Sequence, residues 1–207
     1  MNVVESPIKT VIFDLGNVLV NFDAHKAVKR FASDCGIPIS RTWWHFFVSP
    51  HEKAYTRGEI TCEDFYGAAR DALKLKVDFE KFRFYWNDIF WENEGMDELL
   101  SSLSAKYPLY LISNTNRMHF EYIKENFKIL RHFEKMFASH EVGARKPEPA
   151  IYKKVLHAIP FKAPECVFID DKIEFVRGAR RAGMKSIQFR ARLQLIRDLK
   201  KIGVQAG

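Results

Sequence analysis

Three short apolar runs in this sequence each stop at a reactive polar residue. Val11-Ile12-Phe13 runs into Asp14, Leu109-Tyr110-Leu111-Ile112 into Ser113-Asn114-Thr115, and Val167-Phe168-Ile169 into Asp170-Asp171. A fourth group, Lys146, sits in Ala144-Arg145-Lys146-Pro147 before a helix-patterned stretch. A lone carboxylate can be a nucleophile, and a carboxylate pair suits a hard divalent cation. A hydroxyl with backbone amides binds anionic oxygens, and a lysine neutralises them. Each residue alone has an ordinary role: strand-end Asp as turn former, Asp171 as N-cap of the next helix, Lys146 as a surface lysine. The ordered set, each member in its strand or loop context, points to one crevice.

The apolar runs read as buried strands, near-continuous in Val, Ile, Leu and Phe, as parallel sheets require. Lys185-Ser186-Ile187-Gln188-Phe189 reads as a fourth. Helical patterns over about 116–127, 149–158, 173–183 and 191–202 alternate with them. Pro149 starts one helix, and Gly183 stops another. This alternation predicts an α/β doubly wound parallel sheet, whose ligands lie outside the carboxyl ends of the strands. The interval from Asp14 to Leu109 is too long for one crossover helix. Residues 19–92 are helix-patterned, rich in aromatics and without an obvious strand. They are expected to form an all-helical domain inserted into a core made of 1–18 and 93–207. The aromatic stripe, from Trp43 to Trp91, is expected to be mostly that insertion's own core. Trp43, Trp44 and His45 are assigned to core packing over a pocket mouth. Arg57-Gly58-Glu59-Ile60-Thr61 reads as a turn in which Thr61 caps the following helix.

Composition narrows the function classes. The 207 residues carry a net charge of +7, but the basic residues are dispersed and no nucleic-acid motif is present. No apolar run approaches the roughly 20 residues of a membrane span. Cys35, Cys62 and Cys166 lie far apart, as expected of free thiols in a reducing cytoplasm. Met1–Pro7 carries no readable signal peptide. The expected partner is therefore a small anionic molecule, not nucleic acid or membrane. The oligomeric state is not legible.

Phe13-Asp14-Leu15-Gly16-Asn17-Val18, Ser113-Asn114-Thr115, Arg145-Lys146-Pro147 and Phe168-Ile169-Asp170-Asp171 together resemble the haloacid dehalogenase-like (HAD) superfamily. The resemblance spans the chain and is strongest to small phosphatases with a helical cap, of the sugar-1-phosphate branch such as α-D-glucose-1-phosphate phosphatases. It implies a Rossmann-like core and hydrolysis of a small phosphorylated metabolite, expected to be a sugar phosphate, through an aspartyl-phosphate on Asp14. It implies Mg²⁺ on Asp14, the Gly16 carbonyl and Asp170, with phosphate held by Leu15, Ser113, Asn114 and Lys146. Asp171 would orient a metal water or Lys146. The Lys146–Pro147 bond is expected to be cis by the same resemblance.

Two positions depart from the pattern. Most such phosphatases carry an acid–base Asp two residues after the nucleophile, where this chain has Gly16. Losing that group typically costs about 10²–10⁴ in rate. Asp23 is a candidate stand-in, with helix N-capping its ordinary role, and His25 reads as a packing histidine. Phe175 replaces a frequent Asn, which leaves the surroundings of Asp170 and Asp171 open. A metal-free haloacid dehalogenase and a weakened phosphate- or partner-binding protein remain the alternatives. Lys146, read as a loop residue, is expected to be removable with little effect on stability.

Overall fold

The computed structural model describes residues 7–206, so the expectation of no signal peptide falls on a segment, Met1–Ser6, that lies outside the described residues. Five parallel strands form the central sheet: β1 (Thr10–Phe13), β4 (Leu109–Ser113), β5 (Lys135–Ala138), β6 (Cys166–Asp170) and β7 (Lys185–Gln188). Their spatial order is β5-β4-β1-β6-β7, with β1 at the centre. The remaining two strands, β2 (Val20–Phe22) and β3 (Phe90–Glu92), pair antiparallel as a separate ribbon.

Alternation along β1 assigns its side chains to two cores. Val11 and Phe13 point to the face shared with Leu109, Leu111, Val167 and Ile169. That face is covered by α6 (Met96–Ser104), α7 (Arg117–Asn126) and α11 (Arg192–Lys201). Ile12 points the other way, with Ile112 and Phe168, under α9 (Pro149–Ala158) and α10 (Ile173–Arg181). Each fully buried Val, Leu or Ile contributes roughly 1.5–3 kcal/mol, so both faces must be covered. A short helix, α8 (Ser139–Val142), follows β5.

The insertion consists of α1 (Ala24–Cys35), α2 (Ile39–Phe47), α3 (Pro50–Thr56), α4 (Cys62–Leu73) and α5 (Phe79–Asn87). Asp23 caps α1 by accepting the His25 N–H at 2.9 Å, and Gly36 ends it in the left-handed region. Thr61 caps α4 with a reciprocal bond to Asp64, as its sequence indicates. The insertion's core is aromatic: Phe31 and Phe46 lie 4.9 Å apart between centroids, Phe46 and Trp86 5.1 Å, and Tyr55 and Phe65 4.4 Å.

Three strands, β2, β3 and β5, are absent from the sequence reading. Residues 19–92 are not wholly helical, because β2 and β3 bound the insertion. Three residues per strand are too few to display alternation, and Phe22, Phe90 and Trp91 merge with the aromatic helix pattern. β5 escaped detection because only Phe137 and Ala138 of its four residues are buried, as befits an edge strand.

α3 ties the insertion to the sheet. Ser139 Oγ donates to the Thr56 carbonyl at 2.6 Å, and Tyr55 Oη accepts the Met118 N–H at 3.2 Å. Gly58 follows, with φ +72°, and a Cβ there would lie 2.0 Å from the His140 carbonyl oxygen. Only glycine allows that approach.

Candidate active site

The central position of β1 decides the geometry. Asp14 follows its last residue, and its N–H donates to the Ile169 carbonyl at 2.8 Å, which binds it to β6. Ser113 ends the strand on one side and Asp170 the strand on the other. Carboxylate oxygens of Asp14, Asp170 and Asp171 lie within 4.8 Å of one another. Lys146 comes from the loop before α9, and its Nζ reaches Asp14 Oδ1 at 2.7 Å and Asp170 Oδ2 at 2.6 Å.

This cluster is buried, and burial dominates its electrostatics. It pushes the Asp14 carboxyl up to about 6, against the pull of Lys146. Asp170 and Asp171 are raised for the same first reason, Asp171 further by the charge of Asp14. Burial opposes the charge on Lys146, but Asp14 and Asp170 outweigh it and hold the ammonium above its ordinary value. Three carboxylates thus face one ammonium, and the excess negative charge suits a divalent cation.

The Lys146 side chain is fully buried, not a surface lysine. The Phe168 and Phe175 rings lie 5.4 and 5.0 Å from its Nζ. Phe175 therefore walls the ammonium. Asp170 needs no Asn there, because Oδ1 accepts the Lys172 N–H at 2.9 Å and Oδ2 takes Lys146. Asp171 does not cap α10, whose N-cap is Lys172. Its Oδ2 faces Asn17 Nδ2 at 3.5 Å, and its Oδ1 is buried without a partner. The Lys146–Pro147 bond is cis.

A cavity of about 570 Å³ opens on this cluster between sheet and insertion. Asp14, Leu15, Gly16, Ser113, Asn114, Lys146 and Asp171 all line it, whereas Asp170 lies beneath. Asp23 is not among its walls and is exposed as the α1 cap. His25 stacks on Trp43 at 4.6 Å. Gly16 has an ordinary backbone; the positive φ, 56°, belongs to Asn17. A Cβ at Gly16 would meet the Phe22 ring at 3.1 Å, so a phenyl ring stands beside the position of the missing acid.

Several contacts were not singled out from the sequence, although Asn114 itself was, as a phosphate-binding residue. The Asn114 side chain grips Lys146, accepting its N–H and donating to its carbonyl, both at 2.8 Å. Arg145 Nη1 donates to Glu52 Oε2 at 3.2 Å, joining the lysine loop to α3 across the cavity. His119 stacks on Trp86 at 4.7 Å. Its Nδ1 accepts from Asn116 Nδ2 and its Nε2 donates to the Trp86 carbonyl, each at 3.0 Å, and burial lowers its pKa to about 3. Its partner at Trp86 is 33 residues away, beyond local pattern; Asn116, three residues before it, was the available signal. Trp43 lines the cavity, Trp44 is exposed and His45 is buried, so the packing assignment holds for His45 only.

A family model for haloacid dehalogenase-like hydrolases matches residues 8–183. The chain belongs to that family. Among its relatives is the sesquiterpene phosphatase astK of Aspergillus oryzae, 26% identical over 94% of this chain and 96% of its own. The D-ribitol-5-phosphate phosphatase of Bacteroides thetaiotaomicron is 26% identical over 87% and 91%. The chain spans only 36% of the drimenol cyclase drtB of Aspergillus calidoustus, to which it is 28% identical over 94% of its own length. A HAD family enzyme of B. thetaiotaomicron, solved with magnesium and inorganic phosphate, superposes with a TM-score of 0.81 at 29% identity, covering 89% of this chain and 96% of that one. This HAD hydrolase is thus a capped α/β phosphatase-type enzyme. Among its described residues no helix is long and apolar enough to cross a membrane.

Proposed function

We propose that this hydrolase cleaves phosphate monoesters through an aspartyl-phosphate on Asp14, with Mg²⁺ as cofactor. The observation that carries the reading is the packing of Asp14, Asp170 and Asp171 within 4.8 Å at the strand ends. The donor set fits a hard dication: it is all oxygen, in charge excess, and Asp171 Oδ1 has no partner. Asp14, Asp170 and the Gly16 carbonyl would hold the ion, with Asp171 orienting its water. When bound, Mg²⁺ would neutralise phosphate charge and polarise the phosphoryl group.

Lys146 holds Asp14 through Oδ1, and a carboxylate oxygen of Asp14 is the attacking atom. Its lone pair forms the new O–P bond as the bond to the alcohol oxygen breaks. Leu15 and Asn114 amides, the Ser113 hydroxyl and Lys146 would steady the non-bridging oxygens. Water then cleaves the acyl phosphate, releasing inorganic phosphate and restoring the carboxylate. With glycine at position 16 the departing oxygen takes its proton from solvent, so leaving groups of low pKa are favoured. Asp23, the candidate stand-in acid, is exposed and engaged as a helix cap, which favours solvent as the donor.

The sugar-phosphate substrate has the family resemblance and the ribitol-phosphate relative in its support; the cavity lining favours another alcohol, argued below. The Asp170–Asp171 pair favours a metal-bound site over a metal-free dehalogenase. The test is phosphate release from phenyl phosphate with Mg²⁺. EDTA and Asp14→Asn should each abolish it; undiminished turnover in EDTA, or halide release from 2-haloacids, would overturn the reading.

A further inference from the structure

The cavity continues from the carboxylates into the insertion along a wall of rings. Phe22 and Phe90 lie 6.1 Å apart, Phe90 and His119 4.9 Å, His119 and Trp86 4.7 Å, Trp86 and Phe47 5.5 Å, and Phe47 and Trp43 4.7 Å. Trp43, Phe47 and Phe90 are only partly buried and Phe22 is 37% exposed, so part of each ring remains open to a ligand.

The polar side chains among the rings are largely engaged with one another. Both His119 nitrogens are bonded, Asn116 serves His119, and Arg145 pairs with Glu52. Thr56 Oγ1 donates to the Glu52 carbonyl at 2.9 Å. A single indole N–H, Trp86 Nε1, is buried without a partner. A polyol lying against these rings would lose water from several hydroxyls and regain few hydrogen bonds from them, and each unpaired polar group costs roughly 1–3 kcal/mol. A hydrocarbon has no such cost and gains from burial. A cavity of about 570 Å³ lies within the range that holds small organic ligands.

We propose that the alcohol part of the substrate is apolar, its hydrocarbon body lying against Trp43, Phe47, Phe22 and Phe90 while its phosphate meets Asp14 and Lys146. This rests on the phosphatase reading and adds the substrate class to it. Trp43 is the specificity-determining residue at the far end of the wall.

The test compares esters with similar leaving groups: ethyl, butyl, hexyl and octyl phosphate against sorbitol 6-phosphate, all primary alkoxides. The value of kcat/KM should rise about two- to fourfold per added methylene, carried by KM. Sorbitol 6-phosphate should do no better than ethyl phosphate. Trp43→Gln should reduce the octyl-to-ethyl ratio at least tenfold, and Trp43→Phe should restore most of it. General damage to the fold would not move that ratio. A flat series, a preference for sorbitol 6-phosphate, or an unchanged ratio in Trp43→Gln overturns the proposal while leaving the phosphatase intact. No phosphate release from any ester, phenyl phosphate included, overturns both.

Discussion

Asn114 holds Lys146 by both polar groups of its backbone, accepting the N–H and donating to the carbonyl at 2.8 Å each. The lysine loop is thereby fixed to the end of β4, and the ammonium arrives between Asp14 and Asp170 already oriented. Asn114→Ala should lower kcat by about 10- to 100-fold, the scale expected when a catalytic group is misplaced by about 1 Å. Steady-state kinetics on phenyl phosphate checks this; unchanged kcat would show that Lys146 orients itself.

Burial of Lys146 reverses the expectation of a harmless substitution. Lys146→Ala should abolish turnover and also destabilise the metal-free protein, because removing one partner of a buried pair typically costs about 3–5 kcal/mol. The loss should grow with pH. Without the ammonium the Asp14 and Asp170 pKa values rise further above their unfolded values, so stability is kept while they are protonated and lost as pH rises through the folded pKa. Urea unfolding in EDTA at pH 5 and pH 8 measures it; equal losses at both would contradict the argument.

Gly16→Asp should fold. The backbone there is unstrained, and the Phe22 ring that a Cβ would crowd at 3.1 Å is partly exposed and free to shift. An added carboxylic acid should help poor leaving groups most. The ratio of ethyl phosphate to phenyl phosphate turnover should rise tenfold or more. A ratio no higher than wild type would mean that leaving-group protonation is not what this enzyme lacks.

His119 is held neutral, with a pKa near 3 against an ordinary 6.5. Between those values the unfolded chain binds a proton that the folded chain refuses. Stability should therefore fall as pH drops from about 6.5 towards 3, by a few kcal/mol in all. Unfolding free energies of wild type and His119→Phe should differ in slope by about one proton between pH 6 and 4. Parallel slopes would place the titration elsewhere.

The legible parts of this fold were those encoded locally. β1, β4 and β6 are buried on both faces and announce themselves as apolar runs, and Pro149 and Gly183 mark the ends of α9 and α10. Asp14, Ser113 and Asp170 were readable as candidates because ligands of such sheets lie outside the strand ends, where the structure places all three. What escaped depends on partners distant in sequence. Asn17 reaches Asp171 across 154 residues, and Arg145 reaches Glu52 across 93. The aromatic stripe shows the same limit: periodicity indicates that Phe46 and Phe47 are apolar, but not that the first is fully interior and the second faces the cavity.

The β2–β3 ribbon brings Val20 opposite Glu92 and Phe22 opposite Phe90, so the chain leaves the sheet and returns to it at nearly the same point. Opposed residues in such a ribbon sit about 5 Å apart, a gap that a two-residue hairpin can close. The whole excursion is, for the sheet, a single loop whose length costs little closure entropy. Its length can change without re-registering β1, β4 or β6, provided the contacts of α3 with Met118, Ser139 and Arg145 are kept or replaced. A different excursion grafted between Phe22 and Phe90 would present a new chamber to the same three carboxylates, so the reaction and the choice of alcohol can diverge separately.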